Sequence, residues 1–134
     1  TTPAPPAPTP TPPRQSAESE LSAEEKAFFD AVEERRAEGF TCPGGTTYEA
    51  NPVPLVFDCG LWRASREHSQ DMADRSYFSH ASQDGRTPWA RAEDKGTTSD
   101  GENIAAGREF GLQVLEQWLG SAVHCRNLMD PNLE

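Results

Sequence analysis

Residues 1 to about 16 are almost entirely threonine, proline and alanine, and this sets how much of the chain can form a core. Proline lacks an N–H and fixes φ, so such a run favours extended, polyproline-like chain that cannot bury enough surface to fold. Residues 1–19 are therefore expected to be a linker, and residues 20–134 one domain with a single core of modest size. A Pro/Thr/Ala tether ahead of a domain able to form disulfides suits an exported protein held off a cell surface. The chain opens at Thr1 rather than Met, which leads us to expect a further piece upstream.

Within the domain the strongest local signals are helix starts and stops. Ser22 with Glu25 three residues on makes a capping box, and Leu21 supplies the apolar residue just outside it. Phe28, Ala31, Val32 and Arg35 follow at helical spacing, with Phe28 and Val32 turned to the core, until Gly39 ends the run. Residues 40–54 carry Gly44, Gly45, Asn51, Pro52 and Pro54 and read as a loop that Cys42 can pin.

Asp58 can cap a second helix, in which Leu61, Ala64, Ser65, His68 and Met72 form one stripe. His68 on that stripe reads as a core histidine satisfied by one hydrogen bond, in preference to a ligand or base. Thr87 and Pro88 open a short third helix that Gly96 closes, and after Gly107 a fourth carries Val114, Leu115, Trp118 and Leu119 on one face. It stops near Gly120. Residues 121–128 then allow a last helical turn on which His124, Asn127 and Leu128 share a side, and few strands are expected anywhere. Trp62, Trp89 and Trp118 lie in helical stretches and read as packing residues, not a sugar platform.

Charge narrows the partners. Lys and Arg number 12 against 22 Asp and Glu, a net of −10, of which the first twenty residues hold −1. A chain this acidic is not built for nucleic acid or an anionic membrane surface. No run approaches the roughly 18 apolar residues of a membrane span. Cys42, Cys59 and Cys125 are odd in number and lack Cys-x-x-Cys spacing, which points to one bridge and one leftover thiol in an oxidising compartment, not to a cysteine zinc site.

The chemistry converges on residues 101–107, where Glu102 stands among glycines and small apolar residues with His80 and His124 each 22 positions away. A carboxylate in such surroundings needs a cation, a metal or hydrogen-bond donors to offset its desolvation. Two histidines and a glutamate are the donor types for a divalent cation such as zinc, with His80 and His124 as ligands, although no local His-Glu-x-x-His motif supports it. Ser121 three residues before His124, or Ser79 beside His80, could serve as a nucleophile, but no Gly-x-Ser-x-Gly elbow is present and Ser121 reads better as a helix cap. Asp84 or Glu116 could pair with Glu102 for glycoside cleavage, though nothing sets their separation. Gly101 and Gly107 make no phosphate loop, since no Gly-Lys-Ser/Thr follows.

Taken together, these residues resemble a known family. His68, Ser69, Asp71, Met72 and Ala73 are followed by Tyr77, Phe78, Ser79 and His80, and then by Asp84, Gly85, Arg86 and Thr87. Gly101, Glu102, Asn103, Ile104 and Ala105 come next, and Trp118, Ser121, His124, Asn127, Leu128 and Met129 complete the series. In this order the chain, over residues 20–134, resembles a bacterial member of the CAP superfamily, the SCP-like domain of cysteine-rich secretory proteins, antigen 5 and plant pathogenesis-related proteins.

The resemblance implies an exported α+β protein, an α-β-α sandwich whose cleft of two histidines and two acids binds divalent metal in some members. His80, Glu102 and His124 match three of those four, and Ser121 stands where the second acid would be. It further implies that Cys42 pairs with Cys125, with Cys42–Cys59 the alternative. Because the family's strands mostly follow the His124 segment, a chain ending at Glu134 is expected to be helix-dominated and incomplete at its C-terminus.

The function expected is an exported binding or scaffold module, a monomer, that takes a lipid, a cell-wall component or a divalent metal in its His/Glu cleft. The second reading is a metal-assisted hydrolase or protease in which His80 and His124 hold zinc and Glu102 activates water.

Overall fold

The structure, a computed structural model, describes residues 3, 4 and 20–133. The expected linker of residues 1–19 therefore lies, apart from Pro3 and Ala4, outside the described residues. Helix α1 (Ala23–Glu38) begins as its capping box dictates: Ser22 Oγ accepts from Glu25 N at 3.1 Å and Glu25 Oε1 accepts from Ser22 N at 3.0 Å. It ends at Gly39, whose φ of 83° lies in the left-handed region. A Cβ there would sit 2.7 Å from the Tyr48 carbonyl oxygen, so only glycine fits.

Residues 40–54 are not wholly loop. Strands β1 (Phe40–Thr41) and β2 (Thr47–Tyr48) pair antiparallel, with Phe40 opposite Tyr48 and Thr41 opposite Thr47. Aromatic and β-branched residues flank the Pro43-Gly44-Gly45 turn, and that is enough for a hairpin once Phe40 and Tyr48 can rest on a core.

Helix α2 (Cys59–Arg75) is capped by Asp58, whose Oδ1 accepts from Leu61 N at 2.9 Å. Helix α3 (Pro88–Asp94) has Thr87 as cap and Pro88 in its first turn. Helices α4 (Gly111–Leu119) and α5 (Ala122–Met129) follow. Five helices and one two-stranded sheet among the described residues make this a helix-dominated α+β fold. No helix among those residues is long and apolar enough to cross a membrane.

Val32 of α1, Leu115 and Leu119 of α4, Cys125 and Met129 of α5, and Cys42 after β1 form the buried core. Fully burying such an aliphatic side chain contributes about 1.5–3 kcal/mol. Inside this core Cys42 and Cys125 are joined in a disulfide that ties the hairpin to α5, the pairing that the resemblance implied. Cys59 forms no disulfide among the described residues.

A second tie comes from Arg36, which is only 4% exposed. Its Nη1 donates to the carbonyls of Leu128 and Asp130 at 2.8 and 3.1 Å, and Nη2 to that of Leu133 at 2.8 Å. One guanidinium from α1 thus binds three carbonyls at and beyond the end of α5, of which that of Leu128 lies in the last turn, where a helix leaves its carbonyls without partners.

Between α1 and α2 the packing is aromatic. Phe29 meets Phe57 edge to face, and Phe57 meets Trp62 at 6.2 Å between ring centroids. Trp62 Nε1 donates to Glu25 Oε2 at 2.6 Å, while Arg66 pairs with the same carboxylate and lies over the Trp62 ring.

Candidate functional site

Four segments supply the site, and the first three, around His80, Arg91 and Glu102, are each set in place by local chemistry. Ser76 takes a left-handed conformation at the end of α2, φ 55°, and turns the chain into residues 77–80. Tyr77 hydroxyl donates to Asp71 on the last turns of α2. His68 anchors the same segment from the core: its Nε2 lies 2.8 Å from the Ser79 carbonyl oxygen, which can only accept, so Nε2 carries the proton. His68 is 4% exposed and packs in the core with this one hydrogen bond, its buried Nδ1 having no partner among the described residues. His80 follows directly and is carried out to the surface.

The second segment is α3, which contributes Arg91. The third is the irregular stretch 97–107. Thr97 Oγ1 donates to Asp58 Oδ2 at 2.7 Å, and a Cβ at Gly60 would lie 2.8 Å from the Thr97 side chain, so α2 and this stretch approach closely at their start. Asn103 and Ile104 begin neither a strand nor a helical turn; residues 101–106 have no regular structure.

The geometry centres on Glu102. Its Oε1 lies 2.8 Å from His80 Nδ1, and its Oε2 accepts from Arg91 Nη2 at 2.7 Å. Arg91 Nη1 donates in turn to Ser82 Oγ at 2.9 Å and to the Arg86 carbonyl at 3.1 Å. Exposure grades outward along this row, with side chains 6% exposed at Arg91, 19% at Glu102 and 54% at His80. A buried guanidinium is tolerable because its donors are met by a carboxylate, a hydroxyl and a carbonyl.

His124 is joined to the same stretch indirectly. Asn103 Nδ2 donates to the His124 backbone carbonyl at 3.1 Å, and Asn103 Oδ1 accepts from Asn127 Nδ2 at 2.9 Å. The imidazole itself lies 3.0 Å, Nδ1 to Oγ, from Ser121, and stacks on Trp118 with 6.2 Å between centroids. Trp118 Nε1 donates to the Ile104 carbonyl at 3.2 Å, fixing the ring that His124 rests on. Ser121 holds the N-cap position of α5 but makes no side-chain cap bond; its hydroxyl turns to His124 instead.

The structure thus brings His80 and Glu102 into direct contact and gives His124 a separate partner. A cavity of about 600 Å³ beside them is lined by Arg91, Glu102, Asn103, Trp118 and Asn127 among others, but by neither histidine. Asp84 is engaged by Arg86, whose Nε donates to its Oδ2 at 2.9 Å. The Arg86 backbone N–H, and then its guanidinium, hold the Asp84 carboxyl below its ordinary range. Glu116 is exposed on α4.

Nor does the set fit a metal ion as arranged. Among the described residues no three His, Cys, Asp or Glu side chains gather closely enough to hold one. Each oxygen of Glu102 already has a partner, His80 for one and the fixed cation of Arg91 for the other. Arg91 is the functional-site residue that sequence reasoning passed over. A lone arginine on a seven-residue helix carries no periodic signal, although an unexplained carboxylate eleven positions on was a reason to look for a cation. Trp89, read as a packing residue, is 53% exposed on the same helix.

Comparison with known proteins agrees with this architecture. The family model described as the cysteine-rich secretory protein family, CAP, matches residues 29–134. An uncharacterized protein YkwD of Bacillus subtilis is 32% identical over 120 residues, which are 87% of this chain and 42% of that protein. A crystal structure of an extracellular protein containing an SCP domain, from Bacillus anthracis, aligns with a TM-score of 0.67 at 27% identity. The alignment covers 91% of this chain and 38% of that one. The chain therefore spans less than half the length of either relative.

Proposed function

The chain belongs to the cysteine-rich secretory protein (CAP) family, and from that membership we propose that it is an extracellular or cell-envelope binding module whose ligand meets the surface carrying His80, Glu102 and His124. The observation that carries this is the row from Arg91 through Glu102 to His80, in which a buried cation and a half-buried carboxylate support one exposed imidazole. Polar groups held this rigidly, with the outermost ring left to solvent, suit recognition. The disulfide and the extracellular description of the Bacillus anthracis relative support a location outside the cytoplasm.

The ligand class is a lipid or a cell-wall component bearing hydrogen-bonding groups. Hydrolysis by a metal-activated water is the weaker reading, because Glu102 is paired with the fixed cation of Arg91 and no three His, Cys, Asp or Glu side chains gather among the described residues. Calorimetric screening of lipids and soluble cell-wall fragments tests the reading. A binder whose affinity falls at least tenfold in His80→Ala supports it, and no binder across the screen would leave a structural or partner-docking role in its place.

A further inference from the structure

We propose that Arg91 is the positioning residue of this site: its buried guanidinium is the resident counter-cation of Glu102, and it sets which nitrogen His80 offers to a ligand. This deepens the binding reading above and rests on it.

The steps are geometric. Guanidinium nitrogens can only donate, so the 2.7 Å contact from Arg91 Nη2 commits Glu102 Oε2. The fork cannot swing, because Nη1 is held at the same time by Ser82 Oγ and the Arg86 carbonyl, and the residue is 5% exposed. With Oε2 held by Arg91, Oε1 lies 2.8 Å from His80 Nδ1. A carboxylate oxygen accepts, so Nδ1 bears the hydrogen, and in the neutral form of the ring Nε2 is the unprotonated nitrogen. This is how a carboxylate partner fixes an imidazole tautomer.

Two consequences distinguish this from mere packing. In that neutral form the site presents an acceptor, and the ligand group that meets His80 is then a donor, a hydroxyl or an amide N–H. The chain also meets the charge of Glu102 internally, which accounts for a family-type histidine and glutamate pair in a place where no third metal-ligating side chain gathers among the described residues.

The test is long-range proton–nitrogen correlation NMR of the imidazoles in ¹⁵N-labelled, ligand-free protein, so its failure is separate from failure of the ligand screen. In the wild type the His80 signal is expected in the Nδ1–H pattern with Nε2 unprotonated. In folded Arg91→Met, the carboxylate loses its anchor and the His80 pattern is expected to pass to a mixture of tautomers, with His68 unchanged as internal control. If Arg91→Met does not fold, Arg91→Lys carries the test, since it keeps the charge but lacks the fork, and a mixture is again expected. An Nε2–H wild type, or a folded variant that keeps the pure Nδ1–H pattern, would overturn the proposal.

Discussion

Asn103 donates from Nδ2 to the backbone carbonyl of His124 at 3.1 Å, so the residue after Glu102 is bonded to the helix that carries the second histidine. With Asn127 Nδ2 donating to its Oδ1 at 2.9 Å, this amide is the bridge between the two halves of the site. Asn103→Ala leaves a part-buried carbonyl and a part-buried amide without partners. A loss of about 1–3 kcal/mol is expected in urea unfolding. A change below a few tenths of a kcal/mol would show that the bridge is replaced by solvent.

The Cys42–Cys125 bond spans 83 positions and sits in the core beside Leu115 and Met129. Closing a loop that long restricts the unfolded chain strongly, so replacing both cysteines by serine is expected to cost about 2–5 kcal/mol. Thermal unfolding of the double variant measures it. His124 precedes Cys125, and its ring signals should broaden in the same variant.

Much of the helix framework was legible from residues 20–134, and for a local reason. Ser22 with Glu25, Asp58, and Thr87 with Pro88 each start a helix through atoms within three residues of one another, and such signals survive in the bare sequence. The β1–β2 hairpin was not legible, because two residues per strand give no alternation and the turn glycines dominate the stretch. Ser121 shows a different limit. Its position as N-cap was readable, but the neighbouring His124 ring competes for its hydroxyl and wins. His80 and Glu102 stood out as candidate residues by their chemistry, but their direct contact across 22 positions has no period to reveal it, and the family order was what tied them to one cleft.

Glu25 gives a pH dependence whose sign can be worked out. Partial burial raises its pKa, but hydrogen bonds from the Ser22 backbone, Trp62 and Arg66 outweigh this and hold it below the ordinary value of 4.5. A depressed carboxyl contributes stability that is present above the unfolded value and is lost as pH falls through the folded one. The stability gap between wild type and Glu25→Gln should therefore be full near neutrality and close below about pH 4.5. Chemical unfolding at a series of pH values checks this; a gap that widens in acid would reverse the assignment.

Zinc offers a direct contrast with the metal-assisted reading. Titrating it into the wild type is expected to give no binding heat that disappears in His80→Ala, because Arg91 already occupies one face of Glu102. Tight binding abolished by that substitution would restore a metal to the site.

The most direct measurement is amide chemical-shift mapping of the ¹⁵N-labelled chain during titration with soluble cell-wall fragments, repeated with lipid. The expected result is a set of shifts centred on His80, Glu102, Asn103 and His124 that vanishes in His80→Ala. Saturable shifts confined elsewhere, such as the apolar groove of Phe28, Phe57 and Trp62, would contradict a binding site built on the exposed imidazole.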